Sequence, residues 1–297
     1  AEKIPSWRDT DDIWYPKHLS LEQCSSEVTA RYKATLLKGN SLTDLTGGFG
    51  IDCAFLAARF KSATYVERQQ ELCEIAAHNF PILNLNHINV KNEDGVSYLQ
   101  AMSPVDCIFL DPARRNEHGG KTVAISDCEP DVAELEELLL NKAGQVMVKL
   151  SPMLDLSLAL KELQHVQEVH IISANNECKE LLLILGQASA EEISIHCVNL
   201  PTRGTQEEQH FVFTREQEQR SQCTYTDSLG DYLYEPNASL LKAGAFRSIA
   251  AAYPVRKLHP NSHLYTSDTF IENFPGRIFR IVNQCSFNKK EVKENLA

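Results

Sequence analysis

The 297-residue sequence lacks several features that mark other classes of protein. No apolar run approaches the ~20 residues that a membrane-crossing helix requires, so we predict a protein without membrane spans. The chain contains no internal repeat and no low-complexity tract, which argues against repeat and disordered architectures. Because 43% of the residues are apolar and 23% are charged, the composition is that of an ordinary folded protein with a substantial core.

The cysteines lack the spacing of a disulfide or zinc framework. There are nine of them, an odd number, and no two are arranged as a Cys-x-x-Cys pair. Cys53, Cys73, Cys107 and Cys197 lie in apolar segments, where a free thiol behaves as a small hydrophobic side chain. We therefore predict reduced thiols in the core of a cytoplasmic protein.

The chain also lacks the positive charge of a typical nucleic-acid-binding protein, since its formal net charge is -11. The charge is unevenly distributed, however. Residues 232–297 carry nine Lys or Arg against five Asp or Glu, and the rest of the chain carries 20 against 35. This distribution is compatible with a local contact between the C-terminal region and a polyanion, and also with two solvated surfaces.

Segments with strand-like and helix-like patterns alternate from Ser41 to about Gly186. Five strand-then-helix units predict a mostly parallel sheet with helices on both faces. The last two strand-like segments, VQEVHIISA and ELLLILG, are joined only by NNECK, which is too short for a parallel crossover. We therefore predict an α/β fold whose parallel sheet is closed by one antiparallel hairpin.

The pattern divides the chain into three regions. Residues 1–40 form an N-terminal lead-in followed by a helix, and residues 41–186 form the α/β domain. From residue 187 the sequence becomes polar, with a strand pair around PTRGTQEEQ, a helix capped by Asn237 and a final strand in GRIFRIVNQ. We therefore predict that residues 187–297 form a smaller α+β domain.

The stretch SLTDLTGGFGID, residues 41–52, places three glycines where the first strand becomes the first helix. Gly47, Gly48 and Gly50 allow an unusual φ or the close approach of a ligand to the backbone. The free N–H groups at the start of the following helix can hold such a ligand. The turn is not the Gly-x-Gly-x-x-Gly pattern of dinucleotide-binding proteins, which argues against a nicotinamide-dependent oxidoreductase.

Four carboxylates follow the ends of four successive predicted strands, at the edge where open α/β sheets bind their ligands: Asp44, Glu67, Asp94 and Asp111. Glu67 follows the glycine turn at the spacing of an acidic residue that accepts the hydroxyls of a ribose. Asp94 is placed to accept a hydrogen bond from an adenine amino group. Each carboxylate alone would equally suit a helix cap, but the ordered set predicts a site for a nucleoside-containing ligand.

This ordered set resembles the class I S-adenosylmethionine-dependent methyltransferases, whose sheet also ends in an antiparallel hairpin. DLTGGFGID is similar to their first motif, although Thr46 and Phe49 interrupt the usual alternation of glycines. The string DLTGGFGID…VER…LDPARR…VKLSPMLD…NECKELLL…LYEP resembles a bacterial group with a THUMP-like C-terminal domain. The resemblance implies a seven-stranded Rossmann-like sheet in a cofactor-binding domain at 41–186 and a THUMP-like domain at 187–297.

The resemblance also implies which residues bind the cofactor, S-adenosyl-L-methionine. Its methionine part would lie beside the segment from Asp44 to Gly50, its ribose at Glu67 and its adenine at Asp94. The cofactor-binding residues are then Asp44, Thr46, Gly47, Gly48, Phe49, Gly50, Glu67, Asp94 and Asp111.

DPARR occupies the position of the Asp/Asn-Pro-Pro-aromatic motif of amino-methylating members. Asp111 and Pro112 match this motif, so Asp111 is expected to orient the acceptor amine. Ala113 and Arg114 do not match. The guanidinium of Arg114 would stack on a base or bind a phosphate, or else form a surface ion pair with the acidic helix near Glu134–Glu137.

Lys149, which ends the fifth predicted strand in VKLSP, is the last candidate for the catalytic group. It is expected either to hold a substrate anion or to extend along the strand end without a catalytic role. Cys107 lies inside the fourth predicted strand, too deep to act as a nucleophile. Methylation of a pyrimidine carbon, which usually requires a thiolate, is therefore not expected.

No metal site is predicted. His259 and His263 are four residues apart in HPNSH, the spacing of two ligands on one helix face. Pro260 and Asn261 between them oppose the helix that would align the two rings.

These features predict a class I methyltransferase that methylates a nitrogen of an RNA base, in tRNA or rRNA, with the C-terminal domain as the docking module. Basic and aromatic side chains are interleaved there, which suits structured RNA: Lys242, Arg247, Arg256, Lys257, Arg277, Arg280, Tyr253 and Tyr265. The acidic remainder of the chain leaves a small-molecule or protein acceptor open. A non-catalytic protein that binds S-adenosylmethionine or RNA is the other alternative.

Overall fold

The fold is built on one nine-stranded mixed sheet with a separate four-stranded sheet near the C-terminus. The computed structural model describes residues 2–16, 24–114, 124–188, 191–202, 207–285, 288 and 291, and only the backbone of Arg114. The strands are β1 Ser41–Asp44, β2 Ser62–Glu67, β3 Ile88–Asn92, β4 Val105–Leu110, β5 Ala113–Arg114, β6 Cys128–Glu129, β7 Ala143–Leu150, β8 Val166–Ala174, β9 Glu177–Gly186, β10 Ser194–Leu200, β11 Gln209–Thr214, β12 Tyr232–Pro236, β13 Arg256–Lys257, β14 Tyr265–Ser267 and β15 Gly276–Arg280.

In the described part of the chain, acidic or hydroxyl side chains cap four of the eight α-helices that follow these strands: Asp94, Asp131, Asp155 and Thr214. Asp94, Asp131 and Asp155 each accept hydrogen bonds from the first free N–H groups of their helices, as the preference for Asp at an N-cap explains. The helices are α1 Pro5–Arg8, α2 Glu27–Lys33, α3 Ile51–Ala57, α4 Gln70–Ile82, α5 Gly95–Ala101, α6 Val132–Lys142, α7 Leu156–Glu162, α8 Arg215–Arg220, α9 Ala238–Ala243 and α10 Phe246–Ala252.

The five predicted strand-then-helix units are confirmed. Strands β3, β2, β1, β4 and β7 lie side by side in that order, and every neighbouring pair is parallel. Their carboxyl ends therefore meet at one edge of the sheet, which we call the carboxyl edge.

The antiparallel hairpin is also confirmed. Strand β9 pairs antiparallel with both β7 and β8, so it lies between them in the sheet. The link between β8 and β9 turns at Asn175 and Asn176, whose φ angles are 49° and 62°. Two consecutive residues with positive φ form the tight turn that suits a twisted hairpin, and Asn tolerates this conformation better than most residues.

The prediction of a seven-stranded sheet is wrong, because β10 and β11 extend it to nine strands. Strand β10 pairs parallel with the outer edge of β8, and β11 pairs antiparallel with β10. Both strands belong to the region 187–297 that the sequence assigns to a C-terminal domain. The physical reason is that β8 would otherwise expose a full row of backbone groups, and β10 covers that edge while burying Ile195 and Cys197.

The small sheet has the order β13-β14-β12-β15, and all of its pairings are antiparallel. It is not isolated from the large sheet. Tyr234, Tyr265 and Phe274 belong to the same buried cluster as Leu181 and Leu183 of β9. The two sheets therefore share one continuous hydrophobic core.

The N-terminal region is a short helical turn that packs onto the glycine segment. Trp7 of α1 is buried, with its ring 5.1 Å from that of Phe49. All nine cysteines lie in the described part of the chain and none is paired in a disulfide, and the four predicted as core residues are buried. Across the described ranges we find no helix that is long and apolar enough to cross a membrane.

Candidate active site

A cavity of about 830 Å³ opens at the carboxyl edge, beside the ends of β1, β2, β4 and β7. Its volume lies within the range of small-molecule and cofactor sites. The four predicted carboxylates all line it, as the parallel arrangement of their strands requires: Asp44, Glu67, Asp94 and Asp111. The structure thus brings together residues that are far apart in sequence.

The glycine turn forms the floor of this cavity between β1 and α3. Gly48 and Gly50 have φ angles of 52° and 86°, which side chains rarely allow. A Cβ atom on Gly47 would lie 2.2 Å from the ring of Tyr65, so this position requires glycine for a different reason. The turn is therefore fixed by two positive φ angles and one close approach, and only Gly48 leaves open space beside its backbone.

Thr46 and Phe49, which interrupt the glycines, have structural contacts. The hydroxyl of Thr46 accepts a hydrogen bond of 2.6 Å from the backbone N–H of Asp111, so it ties the glycine turn to the end of β4. Phe49 lines the cavity, but its ring packs against Trp7. These contacts account for the departure from the usual motif.

Asp44 is buried, and only one of its two carboxylate oxygens has a hydrogen-bond partner among the described residues. Its Oδ1 accepts a hydrogen bond from the N–H of Thr46 at 3.0 Å, whereas Oδ2 is buried without a partner among the described residues. Burial raises the pKa of Asp44 well above its usual range, and the charges of Asp52 and Asp111 raise it further. A cationic ligand in the cavity would satisfy Oδ2 and stabilise the ionised carboxylate.

Glu67 and Asp94 accept hydrogen bonds from backbone N–H groups, and both can accept further hydrogen bonds from a ligand. The oxygens of Glu67 accept from the N–H groups of Gly48 and Gln69, both at 2.9 Å, and each carboxylate oxygen has room for a second donor. Asp94 caps α5 through Oδ1 alone, which leaves Oδ2 for a ligand. The geometry is consistent with the predicted ribose and adenine roles, which stay predictions.

Asp111 and Lys149 form an ion pair within the cavity, with the ammonium bonded to Oδ2 of the carboxylate. The side chain of Asp111 is 37% exposed, and its Oδ1 has no hydrogen bond to the described residues. Burial raises the pKa of Asp111 above its usual range, although Lys149 acts in the opposite direction. The pair therefore presents one free carboxylate oxygen to the cavity.

Lys149 is not free to hold a substrate anion. Besides Asp111, its Nζ lies 3.4 Å from Oδ2 of Asp52, and its side chain is only 10% exposed. Burial lowers the pKa of Lys149, but the two carboxylates outweigh burial and raise the pKa above its usual value. The ammonium is thus a permanent buried cation that faces two carboxylates.

Behind Lys149 lies a buried ion network that the sequence analysis missed. Nζ of Lys33, a fully buried lysine on α2, lies 2.8 Å from Asp52 and 2.6 Å from Glu180. Burial raises the pKa of Asp52, but Lys33 and Lys149 outweigh it and lower the pKa to about 2. The network links α2, α3, β7 and β9 to the cavity wall. In the sequence, only the acidic residue directly after GGFGI hints at it.

The segment after Asp111 continues the cavity wall. Pro112 is buried, and Ala113 and Arg114 form β5, which pairs with β6. The side chain of Arg114 and residues 115–123 lie outside the described residues, so both predicted roles of Arg114 stay predictions.

The cavity suits S-adenosylmethionine on three structural counts. The orphaned Oδ2 of Asp44 matches an ammonium donor such as that of the methionine tail. The backbone at Gly48, where an added Cβ would meet no atom closer than 3.8 Å, allows close approach, and Glu67 offers acceptors to a diol. Among the described residues, six carboxylates line the cavity against three basic side chains, those of Arg68, Lys149 and Lys179, and this excess favours a ligand with positive charge.

Two family models match parts of the chain. One, described as protein-L-isoaspartate(D-aspartate) O-methyltransferase, matches residues 13–116. The other, described as a ferredoxin-like domain, matches residues 232–275. The second description is coarser than the THUMP-like domain that the sequence resembles, and the finer assignment stays a prediction.

Two known proteins resemble nearly the whole chain. A candidate methyltransferase from Porphyromonas gingivalis W83, known from its crystal structure, is 40% identical, with a TM-score of 0.90 over 99% of this chain and 73% of that one. An uncharacterized S-adenosylmethionine-dependent methyltransferase from Mycobacterium tuberculosis (strain H37Rv) is 21% identical over 300 residues, or 99% of this chain and 75% of that one.

Proposed function

The chain belongs to the class I S-adenosylmethionine-dependent methyltransferases, and we propose that it methylates a nitrogen atom of an RNA base. The observation that carries the choice of acceptor is the free Oδ1 of Asp111, held at the carboxyl edge beside the glycine turn by the ion pair with Lys149. A fixed carboxylate oxygen of this kind accepts a hydrogen bond from an N–H group, and it can then take the proton as positive charge develops on the nitrogen.

The roles of the residues in cofactor binding follow from the contacts. Asp44 would receive the α-ammonium group, the open backbone at Gly48 would lie against the methionine tail, and Glu67 would receive the ribose hydroxyls. When bound, S-adenosylmethionine supplies a methyl group on a sulfonium, which is a good leaving group. The protein then has mainly to align the acceptor, and such positioning contributes ~7–11 kcal/mol to lowering a barrier.

Asp111 would orient the acceptor nitrogen through Oδ1. As the methyl group transfers, the N–H bond becomes acidic, and the ionised carboxylate stabilises the developing positive charge or removes the proton. Lys149 is a positioning residue in this scheme, because it holds Oδ2 and favours the ionised form of Asp111.

Other methyl acceptors suit the residues that line the cavity less well. The carboxylate of an isoaspartyl residue, the acceptor named for one matching family model, would face Asp111 and Asp44 with the same sign of charge. Methylation of a pyrimidine carbon would need a thiolate at the cavity. Two thiols of the described residues, those of Cys24 and Cys128, line the cavity. Burial raises the pKa of the Cys24 thiol, which favours its neutral form, and the buried thiol of Cys128 lies 4.0 Å from the backbone carbonyl of Ala124.

The choice of RNA rests on the small C-terminal sheet. Phe279 on β15 is 45% exposed, and Phe270, in the segment between β14 and β15, is 56% exposed. The guanidinium of Arg277 lies 5.7 Å from the centre of the Phe279 ring. Exposed rings with neighbouring arginines suit the stacking of unpaired bases. Strand β15, which carries Phe279 and Arg280, is the edge of this sheet. We propose it as the RNA-docking strand.

The direct test uses RNA from a host strain that lacks the gene, because this RNA carries the unmethylated target. The purified protein is incubated with it and with methyl-labelled S-adenosylmethionine, and the RNA is then digested to nucleosides. We expect one labelled nucleoside, with the methyl group on nitrogen, and no labelling of RNA from the parent strain.

Label in a protein or small-molecule fraction of a lysate from the same deletion strain, with none in RNA, would refute the RNA assignment. It would leave the methyltransferase assignment intact. Label on a base carbon would instead refute the role of Asp111.

A further inference from the structure

Three ligating side chains meet on β8 and β10, which lie beyond β9 from the strands that end at the cofactor cavity. Glu168 and His170 lie on β8, and His196 lies on β10. One ligand atom from each lies within 4.8 Å of the others. Because β8 and β10 pair in register, His196 is the direct neighbour of His170, and Ser194 is the neighbour of Glu168.

We propose that Glu168, His170 and His196 form a binding site for a divalent transition metal of the Zn²⁺ type. Two imidazoles and one carboxylate are a ligand set that zinc uses when its fourth position is left to water. Oε2 of Glu168 lies 3.1 Å from Nε2 of His170. Ligands of a tetrahedral zinc ion, at 2.0–2.1 Å from the metal, are separated by about 3.3 Å.

The second nitrogen of each imidazole has its own partner. Nδ1 of His170 lies 2.8 Å from the hydroxyl of Tyr32, and Nδ1 of His196 lies 3.2 Å from Nε2 of His210. With the protons on Nδ1, both Nε2 atoms carry lone pairs. Metal-bound histidines commonly hold this arrangement, in which an outer partner fixes the tautomer of the ligand.

The site can be reached, and one imidazole must turn to complete it. His170 is buried, but the side chain of Glu168 is 47% exposed, so a cation can enter from that side. The two imidazoles stack with 4.3 Å between centroids, and Nε2 of His196 contacts the hydroxyl of Ser194. Convergence on one ion requires the His196 ring to turn about its soft χ2 torsion, which gives up its stacking on His170 and its contacts with Ser194 and His210. The buried His170 keeps its contact with Tyr32.

The site is structurally linked to α2. Tyr32, the outer partner of His170, precedes Lys33, which is the central cation of the buried ion network. A bound metal would join β8 to β10 and fix the position of Tyr32. Its expected effect is therefore on the stability of the packing between α2 and the sheet.

The test is calorimetric titration of the full chain with ZnCl₂, after treatment with a chelator, dialysis and removal of any histidine tag. We expect one equivalent of Zn²⁺ to bind, and the melting temperature to rise by a few degrees at about 100-fold excess over Kd. Mg²⁺ should not compete, because it prefers oxygen ligands.

Variants separate this site from adventitious binding. His196→Gln and Glu168→Gln should each weaken zinc binding at least tenfold, and Tyr32→Phe should weaken it about tenfold through loss of the outer contact. His259→Gln, an exposed histidine outside the site, is the matched control and should bind normally. Glu168 is on the surface, so its variant should fold even where a histidine variant does not.

Absence of stoichiometric binding by the wild-type chain would overturn the proposal. Binding that survives both His196→Gln and Glu168→Gln would overturn it as well. The readout involves neither cofactor nor RNA, so it stands or fails independently of the proposed function.

Discussion

The carboxyl edge of the large sheet and the small C-terminal sheet both carry charged side chains. They differ in how many of those side chains are already bonded to other residues. At the carboxyl edge, Oδ2 of Asp44 and Oδ1 of Asp111 remain without partners among the described residues. In the small sheet, Arg256 bonds to Asp268 at 2.9 Å, and Nε of Arg277 bonds to Glu235 at 2.8 Å.

The difference shows that the number of charged side chains in a region does not tell how many of them are free to bind a ligand. The sequence counts of Lys and Arg draw attention to the C-terminal region, yet the ammonium of Lys257 there donates to the carbonyls of His259 and Pro260. The unsatisfied acceptors at the carboxyl edge indicate a ligand more directly than a net charge does. The variants below test this contrast, from the largest expected effect to the smallest.

The largest effect is expected from Lys33→Met. This change leaves Asp52 and Glu180 as buried carboxylates that have lost their shared cation, and breaking a buried pair in this way costs about 3–5 kcal/mol. Urea unfolding measures the loss. Lys61→Met, at an exposed position before β2, is the control and should stay within about 0.5 kcal/mol of the wild type. An equally small change in Lys33→Met would show that the network carries little stability.

Lys149→Met should change the pH dependence of methyl transfer. Burial raises the pKa of Asp111 and Lys149 opposes that shift, so removing the lysine raises the pKa further. Activity that needs the ionised carboxylate is lost as pH falls through this pKa, and the acidic limb should therefore move to higher pH by about 1–3 units. The profile of kcat/KM against pH gives the measurement. Lys179→Met, a half-exposed lysine at the same cavity, should leave the limb in place.

Glu67→Gln should weaken the binding of both S-adenosylmethionine and S-adenosylhomocysteine. The amide keeps the size of the side chain but loses its charge, and it replaces one of the two oxygens that accept from Gly48 and Gln69 with a donor. It therefore weakens hydrogen bonds to the ribose and to the glycine turn, each worth about 1.5–3 kcal/mol. We expect a loss of affinity of about tenfold or more by calorimetry. Glu93→Gln, exposed one residue before Asp94, should bind normally. Unchanged affinity in Glu67→Gln would remove the ribose assignment.

The smallest effect is expected from arginines of the small sheet. Arg280 is exposed and has no ion pair among the described residues, whereas Arg277 is bonded to Glu235. If β15 docks RNA, Arg280→Ala should lower the slope of log K against log salt by about 0.7–0.9, and Arg277→Ala should lower it less. Equal slopes for Arg280→Ala and the wild type would count against this strand as the docking surface.

Local patterns in the sequence were sufficient to predict the parallel units, the hairpin and the four carboxylates of the carboxyl edge. Each depends on residues close together in the chain, such as the glycines after Asp44 or the short link NNECK. Strands that follow one another through helices must place their ends at one edge, so the meeting of Asp44, Glu67 and Asp111 could be inferred without coordinates.

The remainder depends on contacts that no local pattern encodes. The addition of β10 and β11 to the large sheet depends on which strand covers the edge of β8. Lys33 and Glu180 are 147 residues apart, and Lys33 reads in the sequence as an ordinary surface lysine of a helix. The meeting of His170 and His196 likewise depends on the register of two strands that a polar segment separates.

The resemblance places Asp111 among both the catalytic and the cofactor-binding residues. The central claim is that Asp111 acts on the acceptor and contributes little to holding the cofactor. The most direct measurement compares Asp111→Asn with the wild type in two assays, methyl transfer to RNA at saturating cofactor and the calorimetric Kd for S-adenosylmethionine. The account predicts that transfer falls by about 10²–10⁴-fold while Kd changes only a few-fold, because the amide keeps the shape but cannot take up charge or a proton. Transfer that persists near the wild-type rate, or a Kd that weakens as much as the rate, would contradict it.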